Sequence, residues 1–462
     1  MSKKTFTAIF LFTTTVWASV EDPFHTDNLT AKNQQTSFID GQTLISESDI
    51  TAAQQAVTKL PNRALSLAEI TDFALANNPL TRLAWLQAKA AAANVGIAKG
   101  AYWPQLNVGA SAERSQDVFT STPNIEDTYG ANISLSYLLW DFGQRASQLN
   151  ANRYTLLAAN LNQNSQIQAV ISQTQQAYYL ALGQQALIMA NQKSVAEAKT
   201  SLAAAQALRQ HGMATIGDVY QAQASLAQTN LNLEQSKGGY QTAMGQLATT
   251  MGLPANARLR LTPLNKTPVI HPIHQEVELF LAKAKRQRPD LLAASAQVHA
   301  SESQLNVTQT STRPTLQLSA NTMPNFSDNE NVMNGAIALN VSMPLFTGYT
   351  HTYQVKQAKA QLEETKATQD ELDQQVQLQV WQAYYALKTA QNSIANTDIL
   401  LKSSEQSVKQ AMGQYKAGVG NILTVLTTQS SLASARVQSI QARLNWYVAL
   451  AQLTQAVGVM RL

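Results

Sequence analysis

Few residues in this chain are grouped in a way that could do chemistry. His271-Pro272-Ile273-His274 sets two imidazoles three residues apart, a spacing that could suit a metal ion. The only acids nearby are Glu276 and Glu278, and no thiol is available because the chain has no cysteine. A loop is therefore expected there, not a metal site. Gly418-Val419-Gly420 has the glycine density of a phosphate-binding loop. It lacks the following Lys-Ser/Thr pair and comes after a coiled-coil pattern instead of a strand. Asp218 lies between Gly217 and Val219, where a carboxylate is expected to cap a helix N-terminus. Glu363, Glu364 and Glu371 suit a solvated helix face. No nucleophile, base and orienting group come together, so the expectation is a chain without enzymatic activity, metal or cofactor. Absence of cysteine also excludes disulfides and a lipid anchor on an N-terminal cysteine.

Length, composition and internal order then decide the class. The chain has 462 residues, of which only 13% are charged. Its polarity comes from Gln, Asn, Ser and Thr mixed with alanine, which suits long helices with weakly charged faces. Met1 to Ala18 reads as a signal peptide: Lys3 and Lys4, an apolar stretch from Ala8, then Val16-Trp17-Ala18, which offers small residues at the cleavage positions on either side of Trp17. Removing it lowers the formal charge from +4 to +2, which gives no basis for binding nucleic acid.

The chain repeats itself. Ala177-Tyr178-Tyr179 returns as Ala383-Tyr384-Tyr385, Gly212 as Gly418, Leu226 as Leu432 and Gly252 as Gly458, all at an offset of 206. Pro79 and Pro104 return as Pro289 and Pro314, and Gly130 and Gly143 as Gly335 and Gly348. The domains expected are a signal peptide 1–18, an N-terminal extension 19–64, a first repeat 65–253, a link 254–274 and a second repeat 275–462. Each repeat should open with a helix (Leu67 to Lys99, Glu276 to Thr310), followed by two strands, a long helix, a tight turn and a further helix.

Val376, Val380, Ala383, Leu387, Ala390, Ile394, Thr397, Leu401, Ser404, Val408, Ala411 and Tyr415 alternate steps of four and three, the seam of a left-handed coiled coil. The seam is expected to resume as Leu423, Leu426, Ser430, Ala433, Val437, Ile440, Leu444 and Tyr447 in an antiparallel partner. A helix from Gly348 to Tyr415 would be about 100 Å long.

The strands alternate with period two. Leu106, Val108, Ala110 and Ala112 interleave with polar or small residues, as do Ile133, Leu135, Tyr137 and Leu139. The second repeat gives Leu316, Leu318 and Ala320, then Ile337, Leu339, Val341 and Met343. One apolar and one mostly polar face fit a transmembrane barrel with a wet lumen. Four strands cannot close, and an open edge is not tolerated in lipid. Copies must therefore pool strands: two would give about eight strands, three about twelve.

The chain resembles the TolC family of outer-membrane efflux proteins over roughly Leu65 to Met460. The likeness rests on the repeat and on four motifs: A-Y-W-P-Q-L from Ala101, L-L-W-D-F-G from Leu138, S-M-P-L-F-T-G from Ser342, and Y-K-A-G-V-G-N-I-L from Tyr415. It implies a mainly α protein with a transmembrane β part. Long antiparallel coiled-coil helices form an α-barrel, and a homotrimer supplies a 12-stranded β-barrel, four strands per protomer. The implied function is the passive exit duct of a tripartite efflux or type I secretion system, fed by an inner-membrane pump and a periplasmic adaptor. The duct would sit in outer-membrane lipid and extend into the periplasm. The resemblance does not distinguish drug, metal or protein cargo. It places an adaptor-docking tip at Gly212, Met213, Ala214, Gly418, Val419 and Gly420, and a periplasmic gate at Asp218, Tyr415, Gly420, Thr424 and Thr427. This chain departs from the family pattern there. Thr424 and Thr427 replace paired aspartates and Gly420 replaces an arginine, which implies a less acidic entrance with fewer locking contacts. A trimeric coiled-coil or adhesin-like surface protein is the alternative, but it would not need four lipid-facing strands.

Overall fold

A computed structural model describes residues 22–36, 38–39, 42–43, 63–116, 125–262, 276–327 and 331–459. The signal segment, most of the N-terminal extension and the His271 to His274 loop lie outside the described residues. The protein is mainly helical with a small antiparallel sheet.

The chain divides into two compact units. One comprises Met1–Lys32, Ala88–Leu156 and His299–Gln361; the other comprises Asn33–Gln87, Leu157–Val298 and Leu362–Leu462. The strands are β1 (Phe38–Ile39), β2 (Gln42–Thr43), β3 (Gln105–Gln116), β4 (Ile125–Trp140), β5 (Thr315–Ser327) and β6 (Asn331–Ser342). The helices are α1 (Leu67–Asn77), α2 (Pro79–Gly100), α3 (Gln144–Gln210), α4 (Ile216–Thr250), α5 (Val277–Gln287), α6 (Pro289–Thr310), α7 (Thr350–Lys416) and α8 (Ile422–Val457). The helix lengths recur in order: 11, 22, 67 and 35 residues in the first series, then 11, 22, 67 and 36.

The first unit carries the sheet β3-β4-β5-β6, antiparallel throughout. Register puts the expected apolar residues on one face. Leu106 pairs with Leu135, Leu135 with Ala320 and Ala320 with Ile337; Tyr137 pairs with Leu318 and Leu318 with Leu339. The opposite face is polar: Gln317 Nε2 donates to Ser136 Oγ at 2.6 Å, and Asn340 Nδ2 donates to Ser319 Oγ at 3.1 Å. The apolar face is bare, with Val108 73% and Ile337 82% exposed. The strands have 12, 16, 13 and 12 residues, longer than their clean alternation suggests and more than the roughly ten needed to cross a bilayer.

The corner from β4 into α3 explains the Leu138 to Gly143 motif. Phe142 and Gly143 both adopt positive φ, 52° and 92°. Asp141 caps α3, accepting from Gly143 N at 3.2 Å and Arg145 N at 2.8 Å. Arg145 returns an ion pair to Asp141 at 2.9 Å and donates to the Leu138 carbonyl at 2.7 Å.

In the second unit, the helices expected to run unbroken from Leu67 and from Glu276 are each broken, at Asn78 and Arg288. The reason is the proline that follows each, which excludes its predecessor from the helical region. Asn78 has φ −66°, ψ 126° and Arg288 has φ −71°, ψ 119°. A glycine-capped helix end fills each break. Gly252 (φ +73°) ends α4 so close to Asn77 that a Cβ would lie 2.4 Å from its carbonyl oxygen. Gly458 (φ +79°) ends α8 against Arg288 in the same way, with a Cβ 2.9 Å from Cα. Asn78 Nδ2 donates to the Thr250 carbonyl at 2.8 Å, and Arg288 Nη1 donates to the Ala456 carbonyl at 3.3 Å. Matching cores surround the joints: Ile70, Val170, Tyr178, Leu247 and Met251 in one, and Phe280, Val376, Tyr384, Leu387 and Leu453 in the other.

The coiled-coil seam of α7 is as expected: ten of the twelve residues are buried, and Thr397 and Leu401 are half-buried. That of α8 is one residue out. Leu423, Ser430 and Val437 are exposed, while Ile422, Val425, Gln429, Leu432 and Ser439 are buried. The true seam continues through Arg436 and Arg443, so an apolar count slides to the neighbouring column.

Candidate functional site at the helical turns

Both long helices end in the same hydrogen-bonded turn. Gly212 (φ +71°) donates to the Arg209 carbonyl at 3.0 Å, and Met213 N donates to the Leu208 carbonyl at 2.8 Å. Gly418 (φ +77°) donates to the Tyr415 carbonyl at 3.0 Å, and Val419 N to the Gln414 carbonyl at 3.1 Å. These are Schellman closures, in which a left-handed glycine lets the last carbonyls of the helix find partners. The turns are neighbours: a Cβ on Gly418 would lie 3.9 Å from Met213 Sδ. Beneath them Ala205, Val219, Ala222, Ala411, Tyr415, Ile422 and Val425 form one core drawn from α3, α4, α7 and α8. Above them Met213 is 63% and Val419 80% exposed.

Asp218 does cap α4, but from the third position. Thr215 is the N-cap residue; its Oγ1 accepts from Asp218 N at 3.2 Å, and Asp218 Oδ2 accepts from Thr215 N at 2.9 Å. This reciprocal box satisfies two donors of the helix end. Thr-x-x-Asp at 215–218 is the signal that identifies it. On α8, Asn421 Oδ1 accepts from Leu423 N at 2.8 Å, and Thr424 and Thr427 are exposed beyond it.

Tyr415 is buried, and its hydroxyl has no hydrogen-bond partner among the described residues. Burial first, and the charge of Asp218 second, push its phenol above the ordinary value, so it stays protonated at physiological pH. Gly420 leaves little room for a side chain. A Cβ there would lie 2.9 Å from Tyr415 N and 3.1 Å from Gln414 Cβ, because the chain folds back over the last turn of α7. Gly420→Arg is therefore expected to distort the turn, not to add a gate contact. Limited proteolysis should cut the variant faster between α7 and α8, and unchanged cutting would refute the steric account.

Apolar periodicity missed a second polar set, farther from the turns along the same helices. Arg436 Nη1 and Nη2 donate to Glu197 Oε2 at 2.8 Å and Oε1 at 2.6 Å. Gln429 Nε2 donates to Ser201 Oγ at 2.8 Å and to the Glu197 carbonyl at 3.3 Å. Arg443 Nη2 donates to Asp398 Oδ1 at 3.1 Å. Gln429, Arg436 and Arg443 recur every seven residues, which puts all three in the seam of α8.

Among the described residues, no three His, Asp or Glu side chains cluster to hold a metal, and no helix is long and apolar enough to cross a membrane. The sequence profile of the outer membrane efflux protein family matches residues 71–253 and 280–459. The chain belongs to this family. Its members are outer-membrane efflux channels, not enzymes. Protein CyaE of Bordetella pertussis is 30% identical over 388 residues, covering 81% of this chain and 80% of CyaE. Outer membrane efflux protein BepC of Brucella suis is 24% identical, covering 79% of each. The structure of VceC from Vibrio cholerae shares the fold with a TM-score of 0.74 at 21% identity, over 85% of this chain and 96% of VceC.

Proposed function

We propose that the chain is one protomer of a trimeric exit duct in a tripartite efflux or type I secretion system. The observation that carries this reading is the four-stranded sheet. Its apolar face is bare, and among the described residues its outer strands β3 and β6 each leave one edge unpaired. Water does not favour so large an apolar surface, and lipid does not tolerate an open edge. Three copies joined edge to edge resolve both conflicts in a 12-stranded barrel lined by Ser136, Gln317, Ser319 and Asn340. A coiled-coil surface protein leaves the apolar face without a use.

In this reading two tandem repeats, 65–253 and 275–462, follow a signal peptide, an extension and a link at 254–274. The helices line a periplasmic tunnel. Gly212, Met213, Ala214, Gly418, Val419 and Gly420 meet the adaptor, and the inner-membrane pump supplies the energy. Asp218 contributes one carboxylate per copy to a cation-attracting ring beside Tyr415, Gly420, Thr424 and Thr427. Purified protein should run as heat-resistant trimers and conduct ions across a planar bilayer. Folded trimers that never conduct, even after the turns are loosened by Gly420→Arg, would overturn the duct. Trivalent cations should block the current, and Asp218→Asn, which keeps an oxygen acceptor, should relieve the block. Block that survives the substitution would remove Asp218 from the ring.

A further inference from the structure

The Glu197–Arg436 pair joins the first repeat to the second inside one chain, through α3 and α8. Its environment is dry for an ion pair: the Arg436 side chain is 13% and that of Glu197 30% exposed, and Ser201 and Gln429 beside them are buried. The offset of 206 names the corresponding residues on the other two helices. Glu197 and Ser201 correspond to Ser403 and Ser407 on α7; Gln429 and Arg436 correspond to Gln223 and Asn230 on α4. All four are exposed in the single chain. A face that is covered in α3 and α8 is thus bare in α7 and α4, and a second copy of this chain is the occupant that the repeat specifies. That junction would hold neutral side chains where the internal one holds a bidentate ion pair.

We propose that the duct has two kinds of helical seam, and that it yields at those between copies while the Glu197–Arg436 seam inside each chain stays closed. This rests on the trimeric duct reading. Physical chemistry supports the asymmetry. Parting Glu197 from Arg436 strands two charges in a poorly hydrated place. Parting Ser403 from Asn230 exchanges neutral hydrogen bonds for bonds to water.

Cysteine pairs test this directly, because the chain has no cysteine of its own. Ser403→Cys with Asn230→Cys, oxidised in the full-length protein with copper phenanthroline, should give disulfide-linked dimers and trimers. Single-channel openings should become rarer at least tenfold and recover on reduction with dithiothreitol. Ser201→Cys with Gln429→Cys leaves the ion pair intact; its crosslink should stay within one chain and leave the openings unchanged. The proposal is overturned if the 403–230 pair links within one chain, does not link in conducting trimers, or links between chains without affecting the openings. Loss of openings on oxidising the 201–429 pair would overturn it too. Wild-type protein that forms neither trimers nor channels would instead refute the duct reading beneath it.

Discussion

Gly252→Ala is expected to destabilise the protein by about 3 kcal/mol. Two costs combine. A left-handed backbone with a Cβ costs about 1–2 kcal/mol, and forcing a methyl into a filled joint costs about 1–3 kcal/mol. The joint is filled by backbone, since the new Cβ would stand 2.4 Å from the Asn77 carbonyl oxygen, and backbone cannot swing aside as a side chain can. Gly413→Ala is the control. It lies inside α7 with nothing within 4 Å of its Cβ position, so alanine should stabilise by about 0.5–1 kcal/mol. Thermal denaturation followed by circular dichroism should move the two midpoints in opposite directions. A Gly252→Ala midpoint equal to wild type would mean that α1 and α2 are not held by the end of α4.

Glu197→Ala should be nearly as damaging, at about 2–3 kcal/mol. Breaking one partner of a buried ion pair costs about 3–5 kcal/mol, and the figure here is lower because Glu197 keeps some contact with water. The loss comes mainly from Arg436, left with Ser194 Oγ at 3.4 Å and without its carboxylate. Replacing both charges by methionine should recover most of the stability, because the uncompensated charge goes with them. If the double variant proved no more stable than Glu197→Ala, the damage would lie in packing and not in the stranded guanidinium.

Architecture was more legible in the sequence than the site was. Period two put the four apolar sets on one face because register follows the pleat, and residues such as Leu135 and Ala320 needed no knowledge of their neighbours. The α7 seam was readable for a similar reason: its inward residues are apolar or small. The α8 seam was not, because three of its inward positions hold Gln429, Arg436 and Arg443. Their partners Ser201, Glu197 and Asp398 lie on other helices, which a local pattern does not see. Pro79 and Pro289 were visible as repeat markers, yet the breaks they force were hidden by helical periodicity on both sides. Asp218 was legible as a capping residue. Its place in the cap depends on Thr215, three residues upstream.

The two edges that β3 and β6 leave unpaired among the described residues also bear on how the proposed barrel would be assembled. Each copy added to a growing barrel satisfies one edge and brings another, so a partial assembly of any size still has two. Only ring closure removes both, in a single event. Pairing two copies forms one interface, whereas the third copy forms two at once, so most of the stabilisation arrives with the last copy. Assembly should be cooperative and steep in concentration, with few intermediates. In the proposed duct, completing the ring and settling in the outer membrane become one step.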